Sequence, residues 1–183
     1  MKLGAKELRT TSPAQKDIQK IKKNPIYIII DNVLDTYNVG GIFRLADAVS
    51  AQKVFLCGET ETPPHTRIKK ASINTTEWVS WQYSPSAKIA IKNLIRQPGG
   101  RNLMVVAIEQ SKRSVPYTKI DYKFPIAFVV GHESGGVSKE VLKIADHIAE
   151  IPMWGVNKSL NVIVSLGIVV FEAMRRMRDY AGK

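Results

Sequence analysis

Hydrophobic positions along this chain alternate between two rhythms. Pro25-Ile-Tyr-Ile-Ile-Ile30 is a continuous β-branched run, the pattern of a strand buried on both faces of a parallel sheet. After a polar turn from Asp31 to Tyr37, Ile42, Leu45, Ala46 and Val49 recur at helical spacing, which leaves Arg44 off the apolar stripe and free to face a ligand. The alternation continues, predicting strands over residues 53–57, 78–83, 103–108, 126–130 and 147–151 and helices over 86–96 and 138–145. A last helix, over about 160–180, aligns Ile163, Leu166, Val170, Ala173 and Met177 along one side. Strands alternating with helices predict an α/β fold built on a parallel, Rossmann-like sheet.

With 183 residues, 44% of them apolar, the chain can close one substantial core, and a single domain is expected. The apolar stretches over 25–30 and 160–171 fall short of a membrane span, which needs about 20 residues. The N-terminus is basic but has no apolar segment with a small-residue cleavage site. Cys57 is the lone cysteine, so no internal disulfide forms and a reducing, cytoplasmic setting is expected. Only the basic leader over residues 1–24 reads as separate from the domain over 25–183.

Charge narrows the partner. There are 27 Lys and Arg against 16 acidic residues, a formal net charge of +11. Three clusters hold much of it: Lys2, Lys6, Arg9, Lys16, Lys20, Lys22 and Lys23 in the leader, then Arg67, Lys69 and Lys70, then Arg175, Arg176 and Arg178. Any one of them is an ordinary solvated surface. Together they point to nucleic acid or another anionic surface, with Lys22, Lys23, Arg67 and Arg44 as candidate contacts to it.

Ligand sites in open α/β sheets lie beyond the carboxyl ends of the strands. Three segments follow predicted strands there: Asn38-Val-Gly-Gly-Ile-Phe-Arg44, Gly131-His-Glu-Ser-Gly-Gly-Val-Ser138, and Ile151-Pro-Met-Trp-Gly-Val-Asn-Lys-Ser-Leu-Asn161. The glycine spacing of the second fits neither a dinucleotide fingerprint nor a nucleotide-phosphate loop, and by itself it reads as a tight turn. Glu133 alone reads as a cap for the helix beginning near Ser138, and Ser159 and Asn161 as caps for the last helix. His65, His132 and His147 lack zinc-ligand spacing, so no metal is expected, and Cys57 has no neighbouring base.

Taken in order, these segments resemble the motifs of the SpoU/TrmH-type RNA ribose 2′-O-methyltransferases of the SPOUT superfamily. Asn38, Gly40 and Arg44 match the first motif, Gly131, Glu133 and Gly136 the second, and Ile151, Pro152, Met153, Gly155, Ser159, Leu160 and Asn161 the third. The resemblance runs from about Pro25 to Arg176. It departs from common family forms at Ser134, where glycine is frequent, and at Ile163, where a small hydroxyl residue is frequent.

The resemblance implies a SPOUT fold with a C-terminal trefoil knot and a homodimer whose active sites are completed by both subunits. It implies S-adenosyl-L-methionine as cofactor, held by Ala107, Gly131, Ile151, Met153, Ser159 and Leu160, with Arg44, Asn38, Glu133 and Asn161 as catalytic candidates. Arg44 is often described as the base in this family, but a guanidinium stays protonated in proteins; binding the adjacent phosphate and steadying the developing alkoxide suits it better. The substrate implied is structured RNA. Transfer RNA is preferred to ribosomal RNA, because the separate N-terminal RNA-binding domain of many ribosomal-RNA members is absent here. Two rivals remain: a non-catalytic RNA-binding protein that keeps the fold, and a nucleotide-dependent oxidoreductase, which would want a glycine fingerprint this chain lacks.

Overall fold

The computed structural model describes residues 3–181, with side chains described as far as Met177. Lys2, the side chain of Arg178 and the last two residues of the expected domain lie outside the described residues. Two short leader helices, α1 (Ala5–Leu8) and α2 (Gln15–Gln19), precede β1 (Asn24–Asp31), α3 (Thr36–Ala48), β2 (Ala51–Cys57) and α4 (Thr66–Ser72). Then follow β3 (Trp81–Ser84), α5 (Ala87–Arg96), β4 (Met104–Ile108), β5 (Val115–Pro116), β6 (Ile126–Gly131), α6 (Lys139–Ile144), β7 (His147–Glu150) and α7 (Val162–Ala181).

Alternate side chains of each central strand leave on opposite faces, and both faces are apolar. Ile26, Ile28 and Ile30 of β1, Val106 and Ile108 of β4 and Phe128 and Val130 of β6 pack with Val39, Ile42 and Phe43 of α3 and Leu166, Val169 and Val170 of α7. Their neighbours Ile29, Val105, Ala107, Ala127 and Val129 pack on the other face with Ala90, Ile91 and Leu94 of α5 and Val141 of α6. Two covered faces explain why the strands read as continuous runs rather than as apolar-polar alternation.

The seven strands form one parallel sheet in the order β3-β2-β1-β6-β4-β7-β5. The chain moves outward from β1 to β3, crosses to β4, and later inserts β6 between β1 and β4. The carboxyl ends of β1, β6, β4 and β7 therefore lie side by side at the point where strand order reverses, where crevices form in such sheets.

Two glycines set the helix layer above this edge. A Cβ on Gly40 would stand 2.6 Å from Ala71 Cβ and 2.7 Å from the Ile68 carbonyl oxygen, so α4 reaches α3 only because residue 40 has no side chain. A Cβ on Gly41 would stand 2.3 Å from Ile163 Cδ1, which explains how the larger Ile163 is accommodated at the α3–α7 contact.

Three local features differ from the sequence-based expectation. The strand expected over 78–83 begins at Trp81, because Trp78 turns inward and its indole Nε1 donates to Asp47 Oδ1 at 2.7 Å. α4 was not expected, since only Ile68 and Ser72 are buried among its polar residues. The leader lies against the domain: Asn74 Nδ2 donates to the Leu8 carbonyl at 2.9 Å and Ser12 Oγ to Glu77 Oε2 at 2.8 Å. Among the described residues, no helix is long and apolar enough to cross a membrane.

Candidate active site

The loops after β1, β4, β6 and β7 meet at the carboxyl edge of the sheet, and three side chains far apart in sequence form a polar chain there. Asn161 Nδ2 donates to Asn38 Oδ1 at 2.9 Å, and Asn38 Nδ2 donates to Glu133 Oε1 at 3.0 Å. Asn161 Oδ1 accepts from the Ile163 amide at 2.8 Å, so it also caps α7, as its position before that helix suggested.

Glu133 does not cap the helix near Ser138. Its carboxylate accepts the backbone N–H of Asp35 at 3.1 Å and of Leu34 at 3.3 Å, at the amino-terminal end of α3, where negative charge is favoured. Partial burial pushes the Glu133 pKa up, but the amide of Asn38 and the backbone N–H groups of Glu133, Asp35 and Leu34 outweigh it, so the net shift is downward.

The segment from Gly131 to Ser138 is a tight turn pinned from both sides. His132 and Gly136 exchange backbone hydrogen bonds at 3.1 and 2.8 Å. His132 Nδ1 accepts the N–H of Ser134 at 3.0 Å and of Gly135 at 3.1 Å, which places the ring proton on Nε2. Gly136 has φ +65°, and a Cβ there would lie 2.1 Å from Glu109 Oε2. On one side Glu109 Oε2 accepts from Val137 N at 3.0 Å; on the other, Asp31 Oδ2 accepts from Ser138 N at 2.9 Å. Burial, and then the Asp31 carboxylate, push the Cys57 thiol up to about 12, so Cys57 stays a protonated core residue.

This turn and the β7–α7 segment enclose a cleft of about 560 Å³, within the usual range for a small-molecule site. Val130, Ile151, Met153 and Leu160 give it apolar walls, and Asn38, Glu109, Glu133 and Asn161 give it polar groups. Gly131 and Ser159 line it as well.

Of the residues proposed from sequence to hold a cofactor, only Ala107 is away from the cleft. It is fully buried within β4, and its successors Ile108 and Glu109 line the wall. Arg44 is exposed on α3 and does not line the cleft of its own chain. Lys22 and Lys23 directly precede β1, at the opposite edge of the sheet, about 25 Å away for a strand of this length. Arg67 is exposed on α4. Sequence reasoning missed Glu109 and Asp31, each at a strand's carboxyl end. Among the described residues, no group of three or more His, Cys, Asp or Glu side chains is placed to hold a metal.

A family model described as the SpoU rRNA Methylase family matches residues 25–171. The chain is 32% identical over 167 residues to the tRNA (guanosine(18)-2'-O)-methyltransferase of Aquifex aeolicus, covering 90% of this chain and 75% of that one. Among solved structures it is similar to the A. aeolicus TrmH/SpoU tRNA modifying enzyme, with a TM-score of 0.78 and 28% identity over 97% of this chain and 84% of that one. It is also similar to the AdoMet-bound rRNA methyltransferase from Sinorhizobium meliloti, with a TM-score of 0.73 and 31% identity over 86% of this chain and 59% of that one. The chain thus spans about three fifths of the length of the Sinorhizobium protein.

Proposed function

The chain belongs to the SpoU rRNA methylase family, and on that premise we propose that it transfers a methyl group from S-adenosylmethionine to a ribose 2′-hydroxyl of structured RNA, transfer RNA before ribosomal RNA. The observation that carries this reading is the single cleft in which the glycine turn, the apolar walls and the Asn38–Glu133–Asn161 chain converge. The A. aeolicus relative, named as a tRNA methyltransferase, supports the choice of RNA.

The cleft suits the cofactor by size and by chemistry. Ile151, Met153 and Leu160 offer an apolar slot for a planar base, and Gly131 and Gly136 line the cleft beside it. S-adenosylmethionine, when bound, supplies a methyl group on an electrophilic sulfonium. Asn38, Glu133 and Asn161 hold one another and so present fixed polar atoms that orient the ribose, and positioning of this kind supplies much of the rate. Arg44 binds the phosphate next to the target ribose and steadies the alkoxide that develops as the 2′-hydroxyl proton passes to a phosphate oxygen or to water.

Because Arg44 lies outside its own chain's cleft, it serves the cleft of a second copy in a homodimer. Leu160, Val164 and Phe171 near and along α7 and Tyr37 on α3 are exposed, and α3 packs on α7 through Gly41 and Ile163, so an apolar face lies beside Arg44 for that partner. The trefoil knot of the family, a leader over 1–24 ahead of a methyltransferase domain over 25–183, and a cytoplasmic setting belong to the same proposal; insertion of β6 between β1 and β4 supports the knot.

The test is transfer of labelled methyl to total small RNA and to ribosomal RNA, with R44A beside the wild type, followed by nucleoside analysis. A 2′-O-methylnucleoside that depends on Arg44 is expected. Methylation of a base, or a full rate in R44A, overturns the assignment. A folded protein that binds RNA but not S-adenosylmethionine is a non-catalytic RNA-binding protein.

A further inference from the structure

Trp154 is 92% exposed and Val156 fully so, on the β7–α7 loop at the lip of the cleft. The other two tryptophans, Trp78 and Trp81, pack against the core. An indole left in water forgoes most of the burial that makes tryptophan useful inside a protein. The loop holds it there: Gln110 Nε2 donates to the Lys158 carbonyl at 2.6 Å, and Ser159 N donates to Asn157 Oδ1 at 3.1 Å.

Pro152, Met153, Gly155, Asn157 and Lys158 line a space beside Ile151 and Glu150, whereas Trp154 and Val156 do not. The indole lines neither that space nor the cofactor cleft and stands in solvent outside both. Lys158, four residues further along the loop, is exposed and lines the rim of the cleft. A solvent-exposed aromatic ring and a lysine on one loop at the cleft, on a chain of net charge +11, have the chemistry of a base-stacking platform with a phosphate contact. A protein partner would want a wider apolar face, and α7 offers one elsewhere through Val164 and Phe171.

Building on the methyltransferase reading, we propose that Trp154 stacks on an unpaired nucleobase of the RNA at or beside the methylated nucleotide, and that Lys158 contacts the adjoining phosphate. Trp154 is then a specificity-determining contact that holds a splayed-out nucleotide at the cleft mouth. Stacking tolerates any base, so this contact selects for an unpaired nucleotide rather than for a sequence.

The experiment compares wild type, W154A and W154F in the full chain. Binding of unmodified transfer RNA is measured by fluorescence anisotropy, binding of S-adenosylmethionine by calorimetry, and oligomeric state by sedimentation. W154A is expected to weaken RNA binding about five- to a hundred-fold, to raise KM for RNA more than it lowers kcat, and to leave cofactor affinity and sedimentation unchanged, while W154F recovers most of the RNA affinity. Addition of RNA should quench an emission component that W154F lacks. If the wild type binds RNA and W154A binds it equally well, the stacking inference fails and the methyltransferase reading stands. If the wild type binds no RNA, both fail. A change in sedimentation of W154A assigns the indole to a contact between copies and overturns the proposal, as does a loss of cofactor affinity equal to the loss for RNA.

Discussion

Asn38 Nδ2 stands 3.0 Å from Glu133 Oε1 although 95 residues separate them in the chain. Asn38 is only 6% exposed, and its other amide atom receives Asn161, so one buried side chain sets two others. N38A is expected to cost about 1 kcal/mol of stability and, by releasing Glu133 and Asn161, to lower kcat about a hundredfold. N38D should be worse in activity than N38A because it sets a second carboxylate against Glu133. Denaturant unfolding and single-turnover methyl transfer check both; an N38D protein as active as wild type removes Asn38 from the positioning chain.

The same hydrogen bonds make stability depend on pH. The Glu133 carboxyl is held below the ordinary carboxylate range, because the donors from Asn38 and the backbone outweigh the cost of burial. A carboxyl that is more acidic in the folded state stabilises the fold fully above its unfolded pKa and loses that contribution as pH falls through the folded value. The unfolding midpoint of wild type should therefore drop more steeply below pH 4.5 than that of E133Q. Parallel curves for the two proteins would show that Glu133 does not contribute.

Gly136 tests whether the turn shapes the cofactor site. Its φ of +65° and the 2.1 Å separation between a built Cβ and Glu109 Oε2 act together, and Glu109 cannot withdraw without releasing Val137 N and Gln110 N. The left-handed conformation alone costs an alanine about 1–2 kcal/mol, so G136A should weaken S-adenosylmethionine binding roughly tenfold or more. G135A is the control. A Cβ at Gly135 meets nothing nearer than 3.6 Å and should bind the cofactor as wild type does. Equal calorimetric affinities for wild type and G136A would mean that this turn does not form the site.

The strands and helices that bury two faces or one clean stripe were legible from sequence. β1 follows the run Pro25 to Ile30, and the buried side of α7 includes the expected Leu166, Val170 and Ala173. α4 was not, because Arg67, Lys69 and Lys70 dominate it and Ile68 alone makes no stripe. β5 has two residues, too few for any period. Within the site, the membership of Asn38, Glu133 and Asn161 came from family resemblance, since spacing cannot show contacts across 95 and 123 residues. Glu109 carried a readable signal, an acidic side chain directly after β4, where the strand-end rule directs attention.

Arg44 and the cleft can be separated by complementation. In the proposed homodimer, R44A keeps an intact cleft and lacks the guanidinium, while G136A keeps the guanidinium and has a weakened cleft. Assayed at S-adenosylmethionine concentrations below the wild-type Kd, G136A alone should keep about a tenth of the wild-type rate or less, and R44A should lose about 10²–10³ in kcat with its cofactor affinity intact. If the two are refolded together at equal amounts, half of the dimers are mixed, and each mixed dimer has one site with both parts sound. Roughly a quarter of the wild-type rate per protomer should return, as two-fold symmetry requires. An Arg44 acting on its own chain's cleft leaves every site in the mixture defective, and the rate stays at the average of the two variants.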